Sequence, residues 1–131
     1  MLASSDGEYN IKLHVRNKVD NFTWTLVAVY GAAQEEFKAD FLRELVNLAN
    51  DNPYPMIIAG DYNMLRFPHE KSRGMFDSHW PFWFNVVIDN LDLREVDMTR
   101  RQFTWANSLP KPTYEKLDRV LMSTDWEDKY P

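Results

Sequence analysis

The sequence predicts an α/β domain built on an antiparallel-rich mixed sheet with two main helices. The first observation is the order of its elements: a strand pattern over 22–30, a helical pattern over 34–50 and a strand pattern over 55–60. This order is typical of a crossover in a layered α/β fold. The second is that 131 residues with 44% hydrophobic and 27% charged residues match one globular domain, which excludes wholesale disorder. We therefore treat residues 1–131 as a single domain.

The first two strands are predicted from alternation and from side-chain shape. Residues 9–16 alternate apolar and polar side chains with the period of a half-buried strand. Residues 22–30 are rich in β-branched and aromatic side chains, and their second half is continuously apolar, as in a strand covered on both faces. Turn-forming polar residues separate the two, which predicts an antiparallel hairpin. The polar residues 1–8 carry no strand pattern, and we expect them to form a flexible tail.

The first helix and the third strand follow directly. Residues 55–60 are a short apolar run that ends in Gly60, which predicts a buried strand whose carboxyl end leads into a loop. The helix over 34–50 is predicted from four apolar residues spaced by four, four and three, which share one helical face. They are Phe37, Phe41, Leu45 and Leu48.

The second half of the chain is predicted to hold a long loop, a second helix and short strands. Residues 61–78 contain glycine, proline and many charges, as in a functional or mobile loop. The second helix spans 80–91, and the aromatic residues at its start (80 and 82–84) are interpreted either as helix core or as surface. The remaining pattern predicts strands over 93–96, 102–105 and 117–122, and one helical turn over 125–130.

Composition excludes several kinds of site. The chain has no cysteine, which excludes a disulfide scaffold, a thiolate zinc site and a cysteine nucleophile. The longest apolar run, 26–33, is too short to span a bilayer, and residues 1–10 do not resemble a signal peptide. We therefore expect an intracellular protein, cytoplasmic or nuclear, outside the membrane. The 15 basic and 20 acidic residues give a net charge of −5, which disfavours electrostatic gripping of DNA.

Chemistry is concentrated in Gly60-Asp61-Tyr62-Asn63, at the end of the third predicted strand. In an extended chain the side chains of Asp61 and Asn63 point to the same side. A carboxylate beside an amide suits phosphate ester chemistry, because the carboxylate can orient a water or bind a hard cation and the amide can donate to a phosphoryl oxygen. The same four residues are also a plain turn sequence, so both interpretations stay open on this segment alone.

This segment resembles the Gly-Asp-Phe-Asn motif of the endonuclease/exonuclease/phosphatase superfamily, and further motifs follow in the family's order. Val29-Tyr30-Gly31 resembles a strand end of the family, and Leu117–Leu121 resembles its late Leu-Asp-Arg-Val-Leu strand. Residues 30–38, 102–107 (Gln-Phe-Thr-Trp-Ala-Asn) and 123–131 are similar to plant non-LTR retrotransposon endonuclease domains. The resemblance covers the chain from Tyr9 onward. It implies a partial four-layer α/β sandwich, the DNase-I-like fold.

The resemblance implies roles for four residues. Tyr30 would contact the phosphate, Asp61 would orient or deprotonate the attacking water, and Asn63 would hold the scissile phosphate. Asp118 matches the aspartate that orients a downstream catalytic histidine in the family. Two of these have structural alternatives, since Tyr30 at a strand end can be a core residue and Asp118 can bond turn amides.

Other parts of the family's active site have no counterpart in this sequence. The resemblance calls for an amino-terminal Asn, a Glu that is the chief magnesium ligand, and a carboxyl-terminal Ser-Asp-His. We therefore expect a domain truncated at both ends. Asp61 alone is expected to bind magnesium weakly, because Mg²⁺ needs several converging oxygen ligands. This predicts a retroelement-derived plant pseudoenzyme, hydrolase-like in sequence but inactive. We expect it to need no cofactor in isolation. If it is active, it would require magnesium or manganese.

A sheet that lacks its covering strands would expose apolar surface and unpaired edges. We therefore expect a homo-oligomer, or a complex with another protein, formed through that sheet face or edge and bordered by Trp24, Phe103 and Trp105. The alternative is a magnesium-dependent phosphodiesterase, an endonuclease, whose site is completed by a second chain. Nucleic-acid binding without cleavage is disfavoured by the net charge, yet the last third of the chain contains six basic residues that could form a patch: Arg94, Arg100, Arg101, Lys111, Lys116 and Arg119.

Overall fold

The computed structural model describes residues 3–6, 8–96, 105–106 and 114–125. The first strands are β1 (Ala3–Asp6), β2 (Asn10–Arg16), β3 (Thr23–Tyr30) and β4 (Met56–Asp61). The later strands are β5 (Leu93–Glu95), β6 (Trp105–Ala106), β7 (Tyr114–Glu115) and β8 (Asp118–Ser123). The helices are α1 (Lys38–Asn50) and α2 (His79–Asn90), with 3₁₀ turns at Glu35–Phe37 and Pro68–Glu70.

Six of these strands form one mixed sheet in the order β1-β2-β3-β4-β8-β5. Neighbouring strands pair antiparallel, except that β3 and β4 pair in parallel. Helix α1 lies between β3 and β4 in sequence, so it is the crossover that the strand–helix–strand order predicts. The α/β class and the antiparallel-rich mixed sheet with two main helices are confirmed. Strands β6 and β7 form a separate two-stranded sheet.

One face of the large sheet, the helix face, carries the hydrophobic core. Val27 of β3 and Leu121 of β8 both pair with Ile58 of β4, and all three are fully buried. The predicted apolar face of α1 is confirmed except for Phe37, which lies in the 3₁₀ turn before the helix and is 43% exposed. The helices contribute six buried side chains to this core: Phe41, Leu42, Leu45 and Leu48 from α1, and Phe84 and Ile88 from α2.

The opposite side of the sheet, which we call the open face, is also apolar. Side chains alternate along each strand, so the residues that lie out of phase with the core share this face. Within the described strands none of the fully buried residues lies on it, and Ile11 is 44% exposed. The strand registers place ten apolar residues on the open face: Ile11, Leu13, Val15, Trp24, Leu26, Ala28, Ile57, Ala59, Val120 and Met122.

The start of the chain corrects one prediction. The expectation of a tail without a strand was wrong, because Ala3–Asp6 forms β1 and pairs antiparallel with β2. An edge strand gains its hydrogen bonds from the neighbouring backbone, so it does not require an apolar pattern. The predicted strand over 102–105 lies outside the described residues except for Trp105, which begins β6. The predicted helical turn over 125–130 lies outside them beyond Asp125.

The aromatic residues at the start of α2 divide between core and surface. Phe84 is fully buried, and Trp80 packs against the core while partly buried. Phe82 and Trp83 are 58% and 47% exposed. Each interpretation therefore holds for different residues, because the core-facing side of the helix is centred on positions 81, 84 and 88, with 80 beside it and 82 and 83 farther round. Neither helix in the described part of the chain is long and apolar enough to cross a membrane.

Candidate active site

Three of the four predicted site residues lie side by side on the open face. Tyr30 ends β3, Asp61 ends β4 and Asp118 begins β8, and the registers pair Tyr30 with Asp61 and Asp61 with Asp118. Tyr30 is 49% exposed and Asp118 is also exposed, so neither is a core residue. This cluster of a phenol and two carboxylates, which we call the strand-end cluster, lies where the parallel strands β3 and β4 end. Ligands of α/β sheets commonly bind at that edge.

Asn63 reaches the cluster by a different geometry from the one predicted. It has left the extended conformation, with a backbone φ of 53° in the left-handed region. Its side-chain Nδ2 donates to the Gly31 carbonyl at 2.6 Å, and its backbone N–H donates to Asp61 Oδ1 at 2.8 Å. Asp61 therefore forms a turn with Asn63, while the amide of Asn63 ties the end of β4 to the end of β3. The turn interpretation is confirmed for this segment, and the site interpretation stays a prediction.

Two glycines permit the close approach of β3 and β4 at this edge. The Gly31 N–H donates to the Asp61 carbonyl at 2.6 Å, and a Cβ on Gly31 would lie 2.3 Å from the Tyr62 carbonyl oxygen. Gly60 has φ 139°, and a Cβ there would lie 2.2 Å from the Val29 carbonyl oxygen. Side chains are excluded at both positions, which explains the glycines in the Val-Tyr-Gly and Gly-Asp-Tyr-Asn segments.

Tyr62 anchors the segment between Asp61 and Asn63 in the core. Its ring is fully buried and stacks on Phe84 with the ring centroids 5.3 Å apart. Its hydroxyl donates to the Ile58 carbonyl at 2.9 Å, and burial raises the pKa of the phenol well above its ordinary value. Tyr62 is therefore structural, and the strand alternation that buries it directs Asp61 toward the open face.

Lys38, at the start of α1, was missed by sequence reasoning. Its Nζ donates to the Asn63 carbonyl at 2.9 Å. It lines a cavity of about 160 Å³ beside Asn63 that Trp80 and Leu117 also line. Burial lowers the pKa of Lys38, although nearby carboxylates such as Glu35 raise it in part. Lys38 ends the segment 30–38 that resembles retrotransposon endonuclease domains, but the resemblance assigns it no role, and the packing of α1 onto the sheet brings it to this place.

A buried ion cluster on the helix face of β8 was also missed. The Arg119 side chain is 0% exposed and donates to both carboxylate oxygens of Glu70 at 3.1 Å and to Glu95 at 2.9 Å. Glu95 accepts further hydrogen bonds from Arg66 at 3.0 Å and Lys116 at 2.8 Å. The sequence did contain a signal for this cluster. Arg119 lies at the same strand phase as Leu117 and Leu121, so its charge falls on the core side of β8 and requires buried partners.

Glu95 stays ionised in this cluster. Burial raises the pKa of its carboxyl, but the hydrogen bond from Lys116 and the charge of Arg119, together with hydrogen bonds from Arg66 and Arg119, outweigh burial and hold the pKa at about 2. The buried ion cluster therefore removes two residues from the predicted basic patch. Arg119 and Lys116 are engaged inside the protein, with side-chain exposures of 0% and 14%. Of the other four residues, Arg94 is exposed, and the rest lie outside the described residues.

A divalent cation has few ligands here. Asp61 and Asp118 are adjacent carboxylates, yet no group of three or more His, Cys, Asp or Glu side chains within the described segments could hold a metal ion. Magnesium demands near-octahedral geometry and keeps its waters unless several oxygens converge on it. The described residues on their own therefore do not fit a resident magnesium ion.

Comparison with known proteins places this arrangement in a family. Residues 3–130 match the Endonuclease/Exonuclease/phosphatase family. The chain is similar to the endonuclease domain of TRAS1, a telomere-specific non-LTR retrotransposon, with a TM-score of 0.73 and 16% identity over 92% of this chain and 52% of that one. It is similar to a beta toxin from Staphylococcus aureus (TM-score 0.62, 15% identity, 89% of this chain and 43% of that one).

A third similar structure is the 3′ phosphatase NExo from Neisseria bound to a product DNA hairpin (TM-score 0.62, 14% identity, 89% of this chain and 52% of that one). At these identities the likeness shows the fold. The chain spans about half the length of the solved structures it matches. No curated protein matches the sequence. Since the family match extends over residues 3–130, the chain belongs to the endonuclease/exonuclease/phosphatase family.

Proposed function

We propose that this chain is a retroelement-derived member of the family that does not cleave phosphodiesters as a monomer and that associates with a second copy of itself through the open face. The observation that carries the proposal is that face itself: ten apolar side chains on β2, β3, β4 and β8, outside the buried core, with the strand-end cluster at one end. A plant retroelement origin is supported by the similarity of residues 102–107 and 123–131 to plant retrotransposon endonuclease domains.

The composition of the open face favours a second copy as its occupant. The interior of the face is apolar, and the carboxylates of Asp61 and Asp118 lie at one end of it. Apolar contact is non-directional, so such a surface can meet itself across a two-fold axis. With that axis perpendicular to the strands, the acidic ends of the two copies lie at opposite ends of the interface. Soluble monomers rarely leave contiguous apolar patches of this kind uncovered.

The absence of turnover by the monomer is proposed from the charge balance of the strand-end cluster. Catalysis of phosphoryl transfer depends mainly on cations and donors that neutralise charge developing on the phosphoryl oxygens. The cluster instead places two carboxylates next to each other, with Tyr30 and the amide of Asn63 as the neighbouring donors. A phosphate bound there would meet more negative than positive charge.

A second candidate function is a metal-dependent phosphodiesterase whose site is completed by the second chain. It is favoured by one observation, that Tyr30, Asp61 and Asp118 converge at the strand ends on the same face that the second copy would cover. The partner would then have to supply the further metal ligand and the positive charge. Magnesium, or manganese, would hold and neutralise the phosphate when bound.

The oligomeric state tests the first proposal. Ala28 is exposed at the centre of the open face, between Ile11 on β2 and Ala59 on β4, so Ala28→Arg places a charge in the proposed interface. Val19→Arg is the matched control, because Val19 is 99% exposed and lies in the turn between β2 and β3. Light scattering after size exclusion should show a dimer for the wild type and Val19→Arg and a monomer for Ala28→Arg. A wild-type monomer at all concentrations, or a dimer of Ala28→Arg, would overturn the proposal.

Plasmid cleavage with magnesium or manganese separates the two functions. The first proposal, extended from an inactive monomer to an inactive dimer, expects no turnover from either form. The second expects turnover from the dimer only, lost in Asp61→Ala and in Ala28→Arg. Turnover by the monomeric Ala28→Arg variant that disappears when Asp61→Ala is added would contradict both.

A further inference from the structure

We propose that Lys38 is a positioning residue that holds the turn at Asn63 and thereby sets the direction of the Asn63 amide at the strand-end cluster. The Lys38 ammonium donates to the Asn63 carbonyl at 2.9 Å. On the next residue, Arg119 Nη2 donates to the Met64 carbonyl at 3.0 Å. Two consecutive carbonyls are thus held by cations from two different elements, one from α1 and one from β8.

The turn needs such support because of its backbone geometry. The φ of Asn63 is 53°, in the left-handed region that side-chain-bearing residues adopt at a cost, even though asparagine tolerates it better than most. Strand β4 ends at Asp61, so the carbonyls of Asn63 and Met64 lie beyond its hydrogen-bond ladder. A hydrogen bond from an ammonium is roughly twice as strong as one between neutral groups, so Lys38 is well suited to fix the Asn63 carbonyl.

Holding the carbonyl fixes the two bonds by which Asn63 joins the cluster. Its Nδ2 donates to Gly31 and its backbone N–H donates to Asp61 Oδ1, at 2.6 and 2.8 Å. Rotation of the turn out of the left-handed region would break both bonds, free the amide and remove a donor from the Asp61 carboxylate. Any effect on a bound phosphate rests on the role that the family resemblance implies for Asn63, whereas the positioning itself is a property of the chain alone.

A matched control lies in the same cavity. Lys71 also lines it, but its Nζ donates to the Met75 carbonyl at 3.0 Å instead of to the Asn63 turn. Loss of a lysine charge from the cavity is therefore common to Lys38→Met and Lys71→Met. Loss of the hold on Asn63 is specific to Lys38→Met.

Amide hydrogen exchange, measured by NMR on the full ligand-free chain, tests the proposal. Lys38→Met should speed exchange of the Asn63 backbone N–H by about tenfold, because one charge-assisted hydrogen bond no longer opposes opening of the turn. Lys38→Arg restores a cationic donor and should bring the rate to within about twofold of the wild type, as should Lys71→Met. The amides of β3 report global opening and should keep their rates in all three variants.

Unchanged exchange at Asn63 in Lys38→Met would overturn the proposal, and so would equal acceleration in Lys71→Met or failure of Lys38→Arg to restore the rate. Acceleration of Asn63 and of the β3 amides together would also overturn it, since Lys38 would then serve the whole fold. None of these readouts involves DNA, metal or dimer formation, so failure of the proposed function and failure of this inference give different results.

Discussion

Replacement of Arg119 by Met should destabilise the protein strongly. Methionine keeps an apolar stem of similar length and removes the guanidinium. That group contacts both oxygens of Glu70 at 3.1 Å and Glu95 at 2.9 Å, and it donates to the carbonyls of Met64 and Lys116 at 3.0 and 2.9 Å. The variant therefore leaves two carboxylates and two carbonyls short of a donor at the centre of the fold.

The magnitude follows from the burial of Glu70. Removing one partner of a buried ion pair typically costs about 3–5 kcal/mol, because the remaining charge is left without compensation. Glu70 is 2% exposed, so it cannot turn to water. It keeps backbone N–H donors from Arg66 at 2.6 Å and Phe67 at 3.3 Å, which places the expected loss near the lower end, at about 3 kcal/mol. A domain of this size has a total stability of about 5–15 kcal/mol.

Urea unfolding followed by far-ultraviolet circular dichroism measures the loss. The control is Arg43→Met, because Arg43 pairs with Asp40 at 3.2 Å on the surface, where the side chains are 69% and 51% exposed. An exposed pair of this kind contributes at most about 1 kcal/mol. Adding Glu70→Met to Arg119→Met should recover part of the stability, since the second change removes the unpaired charge. A loss from Arg119→Met no larger than that from Arg43→Met, or full additivity in the double variant, would refute the reasoning.

Two further predictions concern the backbone and the pH dependence. Gly60→Ala should cost about 3 kcal/mol or more in urea unfolding, because the new Cβ would lie 2.2 Å from the Val29 carbonyl at φ 139°. Gly74→Ala at φ 88°, where the nearest atom is 3.6 Å away on a lysine side chain, should cost only about 1 kcal/mol, and equal losses would contradict this. The pKa of Glu95 is held at about 2 against an ordinary 4.5, so its stabilising contribution is present above pH 4.5 and is lost as the pH falls toward 2. Glu95→Gln should flatten the fall of the urea midpoint over that range, and parallel curves for variant and wild type would show that another group is responsible.

The elements predicted well from the sequence are those with strong periodicity. Strands β2, β3, β4 and β8 and both helices lie within a few residues of the predicted spans, because each buries one face in the core and the burial leaves a period in the sequence. Strand β1 was missed because its four residues, Ala-Ser-Ser-Asp, gain their place from backbone pairing with β2 and show no apolar period. Sequence periodicity reports burial of side chains, so it does not detect a polar edge strand.

In the candidate site, too, residues in local motifs could be predicted from the sequence, whereas contacts between distant segments could not. Tyr30, Asp61 and Asp118 were predicted as candidate site residues because each stands in a motif at a strand end. Their adjacency depends on the registers of β3, β4 and β8. Lys38 and Arg119 lie within segments that resemble the family, 30–38 and 117–121, but the resemblance assigns neither residue a role. Lys38 contacts Asn63 across 25 residues, and Arg119 contacts Glu70 and Met64 across 49 and 55, so these contacts depend on packing.

The proposed association and the proposed phosphate chemistry would be coupled by position in this fold. Asp61 belongs to the same run of alternating side chains as Ile57 and Ala59, so a surface that covers the apolar part of the open face also approaches Asp61. Approach of that surface removes water, and in a drier environment two adjacent carboxylates repel more strongly and bind a shared cation more tightly. Without a cation, the mutual repulsion of Asp61 and Asp118 would therefore oppose dimerisation. It follows that magnesium should shift the equilibrium toward the dimer if the second copy lies over the cluster, and should leave it unchanged if the contact stops at the apolar strip.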